Sequence, residues 1–243
     1  MKPTDTIIEI GPGHGELTKK IKNQKSKIKI IAIEKDINLA EILKQKFSGD
    51  KNLEIIEGDA LTEIKYQISK IKNTNKKSKI IKNLKIVGNI PYYITGYLLR
   101  ILSELECKPS LIVFTLQKEV AERVSAAPPK MNLLAASVQF WAEPKIIGYI
   151  SKKDFRPQPK VDSAIIKLET RDERQETRNE EKYYKLIRAL FKQPRKTILN
   201  NLRDAKIANP SECREKLIRL GINPTGRPQN LSIEQIIELS QIF

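Results

Sequence analysis

Short apolar runs alternate with amphipathic stretches along most of the 243-residue chain. Short continuous apolar runs are typical of buried strands, and apolar residues at three- and four-residue spacing are typical of helices. Strands are predicted at residues 6–10, 28–33, 53–56, 84–88, 143–150 and 161–168, and helices at 16–22, 36–47 and from about 95, with one further strand and helix within 110–126. This alternation predicts a parallel sheet with helices on both faces.

The pattern changes after residue 169. Residues 169–182 are almost wholly polar and predict an exposed linker. Beyond it the strand signals stop, and helices are predicted at 181–192, 195–205, 211–220 and 232–242. We therefore expect an α/β domain over residues 1–170 and a small all-helical domain over 180–243.

The excess of basic residues indicates a candidate partner. The chain has 45 Lys and Arg residues against 29 Asp and Glu, a formal net charge of +16. Such an excess favours a polyanionic partner, usually nucleic acid, although a lysine-rich composition could simply solvate the surface. Residues 65–85 hold eight lysines and no acid; we interpret them as a solvated face around an insertion, with RNA contact as the alternative.

Several classes of protein are not supported by the sequence. No apolar run approaches the ~20 residues of a membrane span, and no signal-peptide pattern opens the chain. Cys107 and Cys213 match no metal-binding or redox spacing, and His14 is the only histidine. We expect a cytoplasmic protein with reduced thiols, no membrane partner and no metal site.

A glycine-rich turn joins the first predicted strand to the first helix. It contains Gly11, Gly13 and Gly15 and is preceded by Glu9. Glycines allow a ligand to approach the backbone closely. A dinucleotide site would instead favour G-x-G-x-x-G, and Glu9 would repel a diphosphate. An adenosyl ligand with a cationic sulfonium and amine fits this turn better.

The next two predicted strands also end in acidic residues. Glu34 follows the second strand, where a carboxylate can accept hydrogen bonds from both ribose hydroxyls. Asp59 follows the third, where it and the Ala60 amide could bind an adenine edge. The sequence therefore predicts a nucleoside pocket at the carboxyl edge of the sheet.

Asn89-Ile90-Pro91-Tyr92 follows the strand at 84–88. The Asn89 carbonyl and the backbone carbonyl before Pro91 could accept both hydrogens of an exocyclic amine, while Tyr92 stacks on the base that carries it. This arrangement would suit methylation of a nucleobase amine. The alternative is an ordinary proline turn after a strand.

Together these segments resemble the ribosomal small-subunit RNA adenine dimethyltransferases, a class I S-adenosylmethionine-dependent family with a Rossmann-like sheet. The resemblance covers nearly the whole chain. It rests on the segments IEIGPGHGELT (8–18), AIEKD (32–36), EGDAL (57–61), GNIPYYIT (88–95), LQKEVAERV (116–124), FRPQPKVDSA (155–164), QPRKTILNNL (193–202) and GINPTGRPQNLSIEQ (221–235). It implies successive transfer of two methyl groups to adenine N6 in 16S ribosomal RNA.

The resemblance also implies roles for individual residues. Cofactor contacts are implied for Gly11, Glu34, Asp59 and Asn89, and the catalytic segment is Asn89, Pro91 and Tyr92. Phe155 matches an aromatic residue that stacks on the other face of the base, and Arg195 and Lys196 match a basic helix start that contacts RNA phosphates. The family also has an N-terminal segment with a Q-N-F-L stretch that does not occur in this sequence, so we expect weaker cofactor binding.

Other functions remain open from the sequence. A related large-subunit adenine methyltransferase of the antibiotic-resistance type shares the N-x-P-Y segment but not the ending NPTGRPQNLS at 223–232. A non-catalytic RNA-binding ribosome-assembly factor is a second alternative, and an NAD-dependent oxidoreductase is a third. We expect a monomer that acts on ribosomal RNA within the small subunit.

Overall fold

A computed structural model describes residues 2, 4–23, 27–71, 80–171 and 179–243. Its sheet contains β1 (Thr6–Ile10), β2 (Lys29–Glu34), β3 (Leu53–Glu57), β4 (Ile80–Asn89), β5 (Lys108–Gln117), β6 (Ala142–Ile150) and β7 (Ser163–Thr170). The strands are ordered β3-β2-β1-β4-β5-β7-β6.

The helices follow the strands in sequence. They are α1 (Glu16–Lys22), α2 (Ile37–Lys46), α3 (Ala60–Ile71), α4 (Thr95–Ser103), α5 (Lys118–Val124), α6 (Leu133–Gln139), α7 (Glu180–Leu190), α8 (Ile198–Asp204), α9 (Pro210–Arg219) and α10 (Ile233–Ile242). Among these helices, none is both long and apolar enough to cross a membrane.

The centre of the sheet is built from isoleucine-rich strands. Ile7, Ile8 and Ile10 of β1 are buried, and so are the residues from Ile30 to Glu34 of β2. Continuous apolar strands of this kind are typical of parallel sheets that are covered on both faces. Accordingly β1, β2, β3, β4 and β5 pair in parallel, which confirms the predicted α/β class.

The outer part of the sheet departs from the predicted parallel pairing. β7 runs antiparallel to β5, with Ser163 opposite Gln117, so the sheet is mixed. Parallel neighbours are usually joined by a crossover helix. Residues 151–162, between β6 and β7, contain only a short 3-10 turn, so no crossover helix precedes β7.

The chain divides into two compact units. One contains Met1–Lys118 with Lys145–Glu173, and the other contains Glu119–Pro144 with Arg174–Phe243. Residues 119–144, expected in the α/β domain, therefore group with the C-terminal helices instead.

Aromatic packing explains this grouping. Phe140 stacks on Tyr183 of α7, with ring centroids 4.0 Å apart. The Tyr183 hydroxyl donates to the Ala136 carbonyl of α6 over 2.8 Å. These buried contacts fix α6 on α7, across 47 residues of sequence, which no local pattern predicts.

Candidate active site

The candidate site lies where the strand order changes direction, at the carboxyl ends of β1 and β4. Open α/β sheets bind their ligands at such switch points. Gly88 allows these strands to approach closely, because a Cβ there would lie 2.7 Å from the Ile10 carbonyl oxygen. A Cβ on Gly11 would lie 3.9 Å from the Asn89 carbonyl oxygen. The glycine turn and the Asn89 segment are therefore neighbours.

Three glycines shape the turn between β1 and α1. Gly11, Gly13 and Gly15 have positive φ angles of 60°, 58° and 80°. Residues with a side chain rarely adopt such angles. Gly15 is also packed, since a Cβ there would lie 2.8 Å from Leu43 Cδ2 of α2. Around Gly13, by contrast, a Cβ would meet no atom within 4 Å. The turn thus leaves open space over Gly13.

Glu34 at the end of β2 holds this turn in place. Its carboxylate accepts the Gly13 amide on Oε2 and the Asp36 amide on Oε1, each at 3.0 Å. The residue is 7% exposed. Each oxygen keeps a further lone pair, so Glu34 can accept ribose hydroxyls while its orientation is fixed by the backbone.

Glu9, the next-to-last residue of β1, is an almost fully buried acid. Its Oε2 accepts the Thr18 hydroxyl at 2.7 Å. Within the described structure, its Oε1 is buried and has no hydrogen-bond partner. Burial raises the pKa of Glu9 to about 7. An unpaired buried acceptor of this kind fits a cationic ligand group, which would restore the charged form.

Asp59 lies between β3 and α3, at the third strand end. Its Oδ1 accepts the Leu61 amide, and its Oδ2 accepts from Lys35 Nζ, both at 2.9 Å. The hydrogen bond from Lys35 lowers the pKa of Asp59. The helix amide bound by Asp59 is thus that of Leu61, while Ala60 is the buried first residue of α3.

The residues at these strand ends fit the adenosyl methyl donor that the sequence implies. The buried Glu34 carboxylate suits ribose hydroxyls, and the unpaired Glu9 oxygen suits an ammonium group. The space over Gly13 admits a ligand close to the backbone. No phosphate-binding lysine or arginine lies within this turn, which runs from Gly11 to Gly15.

Asn89 ends β4, and its side chain is exposed. The Ile90 amide donates to the Thr115 carbonyl of β5 at 3.1 Å, which anchors the segment to the sheet. Among the described residues, none donates to the Asn89 side-chain carbonyl or to the Ile90 carbonyl. Both acceptors predicted for the target amine are therefore available.

Pro91 and Tyr92 begin a 3-10 turn that leads into α4. Pro91 has a φ of −56°, and its carbonyl accepts the Ile94 amide at 3.1 Å. Tyr92 is half-buried, and its hydroxyl lies 3.0 Å from the Ser163 hydroxyl of β7. The same structural unit contains half-buried Phe155, just after the 3-10 turn Lys152–Asp154.

The whole chain, residues 1–243, matches the family model for ribosomal RNA adenine dimethylase. The chain belongs to this family. It is 37% identical over 238 residues to ribosomal RNA small subunit methyltransferase A of Dehalococcoides mccartyi, covering 97% of this chain and 77% of that protein. The resemblance inferred from the segments is thus confirmed.

Two solved structures show the same fold. A dimethyladenosine transferase from Plasmodium falciparum is 27% identical, with a TM-score of 0.77, 98% of this chain covered and 90% of that chain. The 23S rRNA methyltransferase ErmE is 23% identical, with a TM-score of 0.74 and coverage of 100% and 92%. These neighbours confirm the class I methyltransferase fold.

The family's expected RNA contacts lie in the helical unit. Arg195 and Lys196 are exposed, but they precede α8, whose N-cap is Thr197. The expected helix start is corrected to a loop, because the Thr197 side chain accepts the Asn200 amide and begins the helix there. A surface pocket is lined by residues 192–196.

Four side chains that complete these sites were not predicted from the sequence. Thr18 holds Glu9, Lys35 pairs with Asp59, Ser163 meets Tyr92, and Asn201 fixes the loop at 192–197. Of these, Lys35 had a local signal, since it adjoins Glu34. The others depend on contacts between separate elements.

Proposed function

We propose that this chain transfers two methyl groups in succession from S-adenosylmethionine to N6 of adenine in small-subunit ribosomal RNA. The observation that carries the proposal is the position of Asn89-Ile90-Pro91-Tyr92, which begins at the last residue of β4, beside the Gly11 turn. Membership of the ribosomal RNA adenine dimethylase family supports it.

In this proposal the cofactor is held at three strand ends. Glu9 faces the amino group, Glu34 accepts the ribose hydroxyls, and Asp59 binds the adenine edge. The bound donor supplies an electrophilic methyl group on a sulfonium. The exposed Lys35–Asp59 ion pair must open to admit an adenine, and exposed pairs of this kind are weak.

The chain's own contribution to the reaction is mainly orientation. The Asn89 side-chain carbonyl and the Ile90 carbonyl each accept one hydrogen of the target amine. This holds the nitrogen lone pair, otherwise drawn into the ring, towards the reaction partner. Positioning of reacting groups in this way can supply a large part of a rate enhancement.

The target adenine must leave its stack before it reaches Asn89. Unstacking costs roughly a few kcal/mol, and aromatic stacking offsets it. Tyr92 and Phe155 are proposed to stack on opposite faces of the base. No buried general base is needed, because the methylated nitrogen is acidic and can lose its proton to water.

The small subunit is the proposed acceptor because the Dehalococcoides relative is named for it. The fold itself does not separate the two acceptors, as the likeness to ErmE shows. We further propose a monomer that works in the cytoplasm, where subunits assemble.

Methyl transfer to purified subunits tests this proposal. Under-methylated small subunits and large subunits would be incubated separately with the protein and radiolabelled S-adenosylmethionine. We expect label in small-subunit RNA only. Label in large-subunit RNA would favour the resistance-type activity, and subunit binding without any transfer would favour an assembly factor.

A further inference from the structure

A buried hydroxyl meets the proposed catalytic tyrosine. Ser163, the first residue of β7, is 0% exposed. Its Oγ lies 3.0 Å from the Tyr92 hydroxyl, across 71 residues of sequence. Among the described residues, Tyr92 is the one side chain that bonds this serine. Tyr92 is thus held at two points: its backbone follows the rigid Pro91, and its hydroxyl meets Ser163.

The residue before Ser163 holds a second aromatic segment. Asp162 Oδ1 accepts the Lys152 amide at 3.0 Å. Lys152 opens the 3-10 turn that leads directly into Phe155. The Asp162 carbonyl in turn accepts the Lys118 amide at 3.0 Å. Because Lys118 directly follows β5, this bond connects Asp162 and Ser163 to the end of that strand.

We propose that Asp162 and Ser163 are positioning residues that hold Phe155 and Tyr92 in place and so set the slot for the target base. This inference rests on the proposed function, in which both rings stack on the flipped adenine. Ser163 begins β7 and Asp162 immediately precedes it, so the two aromatic rings are positioned relative to the same strand end. Aromatic side chains that are already ordered lose less conformational entropy when the base binds.

A purely structural role for the same hydrogen bonds makes a different prediction. If Ser163 merely stabilises the sheet, its removal lowers the free energy of unfolding but leaves the kcat of the folded protein unchanged. If it orients Tyr92, removing either hydroxyl gives the same loss, and removing both adds nothing. Such coupling is what a double-mutant cycle measures.

The cycle uses Ser163→Ala, Tyr92→Phe and the double variant in the full chain. Turnover of under-methylated small subunits would be measured at saturating S-adenosylmethionine. We expect each single variant to lose about tenfold in kcat, the typical worth of one hydrogen bond, and the double variant to lose no more. Binding of S-adenosylhomocysteine should be unchanged in all three.

Two further variants separate positioning from folding. Ser110→Ala removes a serine hydroxyl that bonds the Lys82 and Leu84 carbonyls, at 2.8 Å and 3.0 Å, near the start of β5; it should leave kcat unchanged. Asp162→Asn keeps an acceptor for the Lys152 amide and should retain activity, whereas Asp162→Ala should lower kcat.

The outcomes distinguish this inference from the function on which it rests. Losses that multiply in the double variant, or a full kcat in Ser163→Ala, would overturn the positioning role while leaving the methyltransferase intact. A wild-type protein that transfers no methyl group to adenine would overturn both. A drop in kcat for Ser110→Ala equal to that for Ser163→Ala would assign the effect to sheet stability.

Discussion

The two candidate binding regions are built on opposite principles. At the carboxyl edge of the sheet, two carboxyl groups are buried beside the exposed Lys35–Asp59 pair: Glu9 is 1% exposed and Glu34 is 7% exposed. At the loop before α8, Arg195 and Lys196 are exposed, and the residue buried beneath them, Asn201 of α8, is an uncharged amide. The first region buries carboxyl groups, whereas the second exposes its cations.

Asn201 shows how the displayed charges are supported. Its side chain donates to the Gln193, Lys196 and Thr197 carbonyls at 3.0, 3.3 and 3.1 Å and accepts the Gln193 amide at 3.2 Å. The backbone is therefore fixed, and the exposed Arg195 side chain can reach a polymer, while Lys196 pairs with Asp204. Buried carboxylates instead suit one small ligand of fixed shape, because their orientation and protonation depend on the pocket.

The largest expected effect is at the end of β4. Asn89→Ala should lower methyl transfer by about 10²–10³-fold, since one acceptor is removed from a preorganised site. Asn83→Ala is a matched control, because Asn83 lies on the same strand and its side chain bonds only the Thr4 carbonyl among the described residues. Transfer would be measured with radiolabelled donor, and near-wild-type activity in Asn89→Ala would remove Asn89 from the mechanism.

Glu34→Ala should weaken S-adenosylhomocysteine binding about tenfold to a hundredfold, because charged hydrogen bonds are removed and the Gly13 turn is released. RNA binding should not change. Glu57→Ala is the control, since Glu57 lies opposite Glu34 in the register but is exposed. Calorimetry would measure both affinities, and equal cofactor affinity in wild type and Glu34→Ala would place the nucleoside elsewhere.

Glu9 should make stability depend on pH. Burial raises its folded-state pKa from the usual 4.5 to about 7. The contribution of Glu9 to the free energy of unfolding is therefore fully present below pH 4.5 and is lost as pH rises through about 7. The free energy of unfolding of Glu9→Gln should exceed that of the wild type by up to about 3 kcal/mol at pH 8 and should equal it at pH 4. Denaturant unfolding would measure both values. Equal stability of both proteins at pH 8 would contradict the buried, costly carboxylate.

The smallest expected effect is in the exposed region. Arg195→Ala with Lys196→Ala should lower the slope of log affinity for small-subunit RNA against log salt by roughly 0.7–0.9 for each phosphate that is no longer neutralised. Arg195 should carry more of this change, because Lys196 already pairs with Asp204 at 2.9 Å. Lys182→Ala with Lys185→Ala removes the same charge from α7 and should keep the slope. An unchanged slope in the first pair would move the RNA face elsewhere.

The strands and the cofactor edge were predictable because their signals are local. The strands of the parallel core contain short apolar runs, and Glu34 and Asp59 lie at or just after the ends of their strands. Helix α3 was missed because its sequence overlaps the lysine-rich stretch 65–85, which we interpreted as an insertion; residues 72–79 of that stretch lie outside the described structure. Helix α6 (Leu133–Gln139) was also missed.

The rest could not be predicted, since it depends on contacts between distant segments. The Glu9–Thr18 and Lys35–Asp59 pairs join different elements across 9 and 24 residues. The grouping of 119–144 with the C-terminal helices depends on the Phe140–Tyr183 stack. Periodicity indicates that such residues are buried or polar, but it does not indicate which residues they meet.

The proposed product of this chain is dimethylated adenine in small-subunit RNA. Its most direct test is mass spectrometry of nucleosides from under-methylated small subunits after incubation with the protein and S-adenosylmethionine. We expect N6,N6-dimethyladenosine, preceded in time by the N6-monomethyl form. Methylation at another atom, a product that stops at one methyl group, or no methylated adenosine would contradict it.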